Sequence, residues 1–374
     1  MIPAQFGGFM RRSVALAVVS VAALGISLTG QGNKHLNPVV DLLAAKKPVF
    51  GTAIPANGGG GGGNRPGGAG GGAAGSTALP TTPPPAPTPA PTPKTPVELA
   101  KDALAHPEID YFFSGGMERG VSTPGRNGGP APIESFTAFA NGLVEAGAII
   151  TKPAPMLRAP LAVKTPNISN AERQADPAVY VDSISKQLNA GVSIINFVEV
   201  DSVDEVTKGI NAMRFASKGG TRPDAIGDAA KYWGVDEKTY RAKADVWPLD
   251  PNGNLLAWAI IETKEGIANV REIAQVKGLS AVIVGAGTLG GVFSTTNAEG
   301  RRVRDDAAWE AAIQTILAAC KEFKKPCGYP AYETDIEARM KQGFDVFIIQ
   351  TFSERGFKAV EIGRQVSGRD KEKK

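Results

Sequence analysis

The sequence predicts an α/β fold, a (β/α)8 TIM barrel with a disordered low-complexity insertion after its first strand. Three observations predict it. The stretch AWAIIETKEGIANVREIAQVKGLSAVIVGAGTLGG, Ala257 to Gly291, alternates an apolar strand ending in Glu262, an amphipathic helix and a second apolar strand. Two continuous apolar strands around one such helix mark a parallel βαβ unit. The same alternation can be counted eight times, which is the arithmetic of a TIM barrel, whose chemistry lies at the strand C-terminal ends. Between the first and second strands, Gly58 to Gly63 and Gly67 to Gly75 run into PTTPPPAPTPAPTPKTP, which has almost no side chains to bury and is expected to stay disordered over 56–95. An open doubly wound sheet is the runner-up, but the glycine run lacks the dinucleotide-binding spacing.

Taken in order, a helix over Asn37 to Lys46 leads into a strand at Pro48 to Ile54. After the insertion come helix Val97 to Ala105, strand Ile109 to Phe113, helix Ile133 to Glu145, strand Met156 to Ala159, helix Ala178 to Asn189 and strand Ser193 to Val198. Helix Val203 to Ala212 precedes a polar excursion, Phe215 to Gly253, with a short helix at Ala225 to Trp233. There Arg222, Tyr232, Trp233 and Trp247 read as subunit-interface residues or as packing aromatics. The unit named above supplies the fifth and sixth strands. Helix Asp305 to Phe323, strand Cys327 to Ala331, helix Thr334 to Lys341, strand Val346 to Gln350 and helix Phe357 to Val366 complete the set.

Of 374 residues, 42% are hydrophobic, enough for one large domain over 31–374, and the net charge of +4 is dispersed, which argues against a nucleic-acid partner. Arg11 and Arg12 precede an apolar run from Val14 to Leu28, the pattern of an export signal over 1–30. That run is short for a membrane span, and none other approaches the roughly 20 residues a bilayer needs. The expectation is an exported protein, periplasmic or secreted. Cys320 and Cys327 do not form a disulfide framework or a zinc pattern and read as two buried thiols.

The run IIETKEGIANVREIAQVKG, with KPVFGTAI, VELAKDALAHPEIDYFF, MERG, PMLRAP and KQGFDVFIIQT, resembles the HpcH/HpaI aldolase/citrate lyase family, whose members share a phosphoenolpyruvate/pyruvate-type barrel. The resemblance implies a carbon–carbon lyase, aldolase-like, acting on a small carboxylate or 2-oxo acid through a metal-stabilised enolate. It implies Mg²⁺ or Mn²⁺ on Glu262, with Thr288 standing where the family has its second ligand, an aspartate, and Glu199 as the substitute. It also implies homo-oligomeric assembly. Arg158 matches the arginine that binds the substrate's keto oxygen, and Gly287 and Thr288 fall on the substrate-binding turn. Glu118 matches the glutamate beside the family's catalytic histidine, and Arg119 stands in that histidine's place. An arginine is essentially always protonated and cannot act as a general base. The two histidines offer no substitute, since His35 falls in the N-terminal region expected to be disordered and His106 precedes the second strand. Tyr329 and Tyr332 after the seventh strand are further proton-carrying candidates. A second reading, from a different class, is a catalytically degenerate exported barrel serving as a small-carboxylate binding or scaffold protein.

Overall fold

The computed structural model describes residues 35–57, 92–125, 128–150, 156–169 and 176–372, together with Met1 and Glu172. The parallel strands of a barrel are β1 (Val49–Ala53), β2 (Tyr111–Ser114), β3 (Leu161–Lys164), β4 (Ile194–Phe197), β5 (Leu255–Ile261), β6 (Leu279–Val284), β7 (Cys327–Tyr329) and β8 (Val346–Ile349). Each pairs with its neighbour in sequence, and β1 pairs with β8 to close the ring, Val49 facing Val346. The predicted (β/α)8 barrel is therefore the observed architecture. Val246–Trp247 adds a short parallel strand beside the start of β5.

Alternation along the strands divides the apolar side chains into two cores. Tyr111, Ile194, Trp258, Ile283 and Ile348 fill the barrel lumen, and Val39, Val40 and Leu43 of the helix Pro38–Ala44 join them, closing the end where the strands begin. Phe50, Phe112, Ile195, Ala257, Val282 and Phe347 point the other way, into the layer shared with the surrounding helices. Tyr329 belongs to this outer layer, with the Arg339 guanidinium 4.4 Å from its ring centroid, so it does not serve the mouth as the sequence allowed. Tyr332 is exposed.

The expected third strand is corrected. Met156–Leu157 pairs antiparallel with Ile149–Ile150, and the barrel strand follows it, at Leu161–Lys164. Pro160 lacks an N–H for the ladder, so it sits at the strand's entrance and contributes only its carbonyl, to the Phe112 N–H at 2.9 Å. Several further elements were not anticipated, among them the helix Glu237–Lys243. A helix, Ala286–Val292, follows β6, and a hairpin pairs Ser294–Thr296 with Arg302–Arg304.

In the excursion after β4, Arg222, Trp233 and Tyr232 are buried within the chain. The Arg222 guanidinium lies 4.3 Å from the Phe215 ring centroid and donates to Asn189 Oδ1. These three residues are packing groups within the chain, while Trp247, the fourth of the set, is half-buried. His35 is likewise buried, with one ring nitrogen 2.6 Å from Asp41 and the other 3.0 Å from the Pro251 carbonyl. Cys320 and Cys327 form a disulfide, correcting the expectation of two thiols. The last turn of the helix Asp306–Glu322 and the first residue of β7 lie side by side, with the Cα atoms 5.7 Å apart.

The insertion leaves and rejoins the fold at one point. Asn57 donates to the Lys94 carbonyl and accepts from the Lys94 N–H, both at 2.7 Å. Residues 58–91 between them, and the export signal expected over 1–30 apart from Met1, lie outside the described residues.

Candidate functional site

A cavity of about 810 Å³ opens at the C-terminal ends of the strands, lined among others by Glu118, Arg119, Lys164, Glu262, Gly287 and Thr288. Glu262 follows β5 directly and is only 2% exposed. Its Oε1 accepts the Glu199 N–H at 3.0 Å, and the Thr288 hydroxyl hydrogen-bonds the same carboxyl group. Burial raises the Glu262 pKa above the ordinary carboxylate value; the Lys164 charge and these two hydrogen bonds oppose the rise, and the Glu118 charge adds to it.

Local backbone explains how these groups meet. Glu199 has a φ of 47°, uncommon for a residue with a side chain, and that conformation aims its N–H at Glu262. Gly285 ends the sixth strand against the acid: a Cβ there would fall 2.3 Å from Glu262 Cβ and 2.8 Å from its Oε2. The short 3-10 turn Gly116–Arg119 after β2 carries Glu118 and Arg119 to the rim. Glu118 Oε2 accepts from Lys164 Nζ at 2.9 Å, and its carbonyl accepts the Asn167 N–H at 2.7 Å. Lys164 has 17% of its side chain exposed, so its ammonium is largely withdrawn from water.

The structure thus gathers Glu118, Arg119, Glu262, Gly287 and Thr288 around one cavity, as the sequence proposed. Glu199 reaches the site through its backbone N–H. Arg158 is absent from it. Because the third strand begins at Leu161, Arg158 precedes that strand and donates from Nη2 to the Leu104 carbonyl, beside a different cavity that His106 also lines. The cation at the end of β3 is Lys164, which the sequence reading missed. Its signal was present in the run LAVK between Pro160 and Pro166, an apolar strand bounded by prolines and ending on a charged residue.

The donor set can be tested against the divalent cation that the resemblance implies. Among the described residues no group of three His, Cys, Asp or Glu side chains is placed to hold a metal ion. The cavity offers two carboxylates, Glu262 and Glu118; Glu262 accepts hydrogen bonds from the Glu199 N–H and Thr288, and Glu118 is paired with the Lys164 ammonium. Glu199, the proposed second ligand, meets Glu262 through its backbone N–H. A divalent cation such as Mg²⁺ is commonly held by one or two carboxylates with water and substrate oxygens, and Glu262 and Glu118 are the carboxylates that would hold one here.

Fold and site together define a TIM-barrel protein whose ionisable groups converge on the C-terminal mouth of the barrel. In sequence, residues 173–327 match the model of the HpcH/HpaI aldolase/citrate lyase family, a span that includes Glu262 and Thr288. Among solved structures, an HpcH/HpaI aldolase/citrate lyase family protein from Burkholderia cenocepacia J2315 is similar at a TM-score of 0.54 and 16% identity, over 84% of this chain and 92% of that one. An HpcH/HpaI aldolase from Desulfitobacterium hafniense DCB-2 gives 0.50 and 13%, over 82% and 88%. Macrophomate synthase gives 0.51 and 15%, over 90% and 89%. At such identities the likeness establishes the barrel and nothing finer. No curated protein matches the chain in sequence.

Proposed function

We propose that the chain is an aldolase-like lyase that makes or breaks a carbon–carbon bond beside the carbonyl of a 2-oxo acid or related carboxylate. The observation that carries this reading is that a buried acid, Glu262, and a fixed cation, Lys164, line the same mouth cavity, near enough for the lysine's charge to act on the acid. Its support in sequence is the family match over 173–327.

Removing a proton or a carbon substituent next to a carbonyl places negative charge on the carbonyl oxygen. Lys164, held by Glu118, and Arg119 at the rim supply positive charge to that oxygen and to the substrate carboxylate. A preorganised charge in a site largely withdrawn from water stabilises a developing enolate without reorganising when it forms. Proton transfer falls to a carboxyl group or to water, because neither His106 nor His35 lines the mouth cavity: His106 stacks on Phe357 and His35 bonds to the Pro251 carbonyl. Glu262 is the better suited carboxyl group: its raised pKa brings its protonated form closer to working pH, where a proton donor and acceptor is most effective. Thr288 and the Glu199 N–H fix its orientation. A divalent cation held by Glu262 and Glu118 would add positive charge for the enolate oxygen, and no step above is routed through it.

The test is enolisation itself. Pyruvate in D2O with the purified protein is expected to lose its C3 proton signal by NMR. Lys164→Met is expected to slow that exchange by roughly 100- to 1,000-fold, the usual loss when one stabilising donor is removed. Exchange that proceeds at the uncatalysed rate with wild-type protein would sink the lyase reading. Calorimetric binding of oxalate without any exchange would then identify the degenerate, carboxylate-binding barrel.

A further inference from the structure

The opposite end of the barrel holds a second cavity, of about 450 Å³, beneath the starts of β1, β6, β7 and β8. Five lysines line it: Lys46, Lys47, Lys321, Lys324 and Lys325. Lys47 pairs with Glu372 at 2.7 Å. The other four form no ion pair among the described residues. The one acid in the wall, Asp345, has its Oδ1 occupied by the Cys327 N–H at 2.8 Å. Four of the five are exposed and Lys325 is half-buried; like charges collected around one cleft raise the local positive potential, and a bound anion lowers it.

Two of these lysines occupy positions that the backbone reserves for glycine. Lys46 (φ 56°) and Lys324 (φ 52°) each end a helix in the left-handed conformation. The following N–H groups reach back to close the turn, Lys47 to Leu42 and Lys325 to Cys320. This helix stop strongly favours glycine, because a Cβ is disfavoured there. At its other left-handed helix ends the chain does use glycine, at Gly147, Gly191, Gly234, Gly343 and Gly368. A cation at a helix C-terminus gains from the helix dipole, which accounts for one lysine at a time. It does not account for two strained lysines from separate helices converging on one cavity with two more unpaired ones. Lys325 is the most enclosed: burial holds its ammonium down to about 8, and its Nζ donates to the Leu279 carbonyl at 2.6 Å.

We infer that this basal cavity is a binding site for a small multivalent phosphate anion. The choice of phosphate rests on the side chains. The cavity's cations are all lysines, compact point charges suited to a tetrahedral, multiply charged group, whereas planar carboxylates are best matched by the arginine fork. The site is independent of the mouth chemistry and stands or falls separately from it.

Inorganic pyrophosphate, titrated calorimetrically into the full chain at low salt, is the probe. One-site binding that weakens steeply as NaCl is added is the expected result. The double variant Lys46→Gly, Lys324→Gly relieves both strained turns, so it should melt higher than wild type without anion yet bind pyrophosphate about tenfold or more weakly. Lys321→Gln, which leaves both turns unaltered, should weaken binding as well. Absence of binding by the wild type, or equal binding by the double variant, overturns the site. Citrate binding as tightly as pyrophosphate overturns its assignment to phosphate.

Discussion

Glu262 answers two opposed demands. Its burial and raised pKa suit proton transfer, and the same burial costs stability when the group ionises. The folded carboxyl group keeps its proton to higher pH than an unfolded chain would. Its proton-linked stability is therefore fully present below the ordinary value of 4.5 and lost as pH rises through the folded value. Glutamine can still accept the Glu199 N–H and carries no charge. Glu262→Gln is therefore expected to melt higher than wild type at about pH 8 and no differently at about pH 4, while pyruvate proton exchange falls roughly 100- to 10,000-fold. Thermal melts at the two pH values, run beside the NMR assay, check both halves. A variant less stable at the higher pH would mean that the carboxylate is held by more charge than Lys164 provides. Glu262 and Thr288 were legible in the sequence because each ends or follows a recognisable strand, and Glu118 and Arg119 through the family resemblance of the run MERG. Lys164 was not, since Arg158 lies six residues earlier in a run that also reads as a strand, and only pairing partners distinguish the two.

At the scale of elements, the site depends on how β5 and β6 are spaced. Residues Trp258 to Ile261 of β5 face Ala281 to Val284 in register, and the strand pair delivers Glu262 against Gly285. No side chain is tolerated at that contact. Gly285→Ala is expected to push the Glu262 side chain aside and to destabilise the fold by about 1–3 kcal/mol, the usual cost of overpacking. Chemical denaturation should show that loss, and exchange of pyruvate should drop with it. Unchanged exchange would separate Glu262 from the chemistry. The same scale explains the misplaced third strand. Its predicted span, Met156 to Ala159, and its true span, Leu161–Lys164, are both short and apolar. Local pattern could not rank them, because the deciding term is the ladder with β2 and β4, a long-range pairing. The cysteine pairing was hidden for a more local reason: the tight turn between a helix end and the next strand's start, a sequence separation of 7, brings the two side by side.

Across the whole molecule, the eight-fold alternation survived these local errors because each misread segment still contributed one strand and one helix to the count. Barrel geometry then assigned the charges to two ends. Acid and cation meet at the mouth, and lysines gather at the opposite end of the same strands. The insertion belongs to this scale too, since it enters between the first and second strands yet leaves their register intact, Gly51 facing Tyr111 through Ala53 facing Phe113. Removing residues 58–93 and joining Asn57 to Lys94 by a short glycine link is expected to leave the melting temperature unchanged, by calorimetric scan. A drop of about 10 °C or more would show that the barrel leans on that segment.

The Asn57–Lys94 clamp makes the barrel nearly indifferent to what lies between those residues. Once the two stems are fastened, doubling the length of chain they enclose costs only about 0.6 kcal/mol of closure entropy. Stability therefore exerts almost no selective pressure on the segment's length. Its repeats are free to expand or contract by replication slippage, and the same neck would accept a foreign domain as a graft.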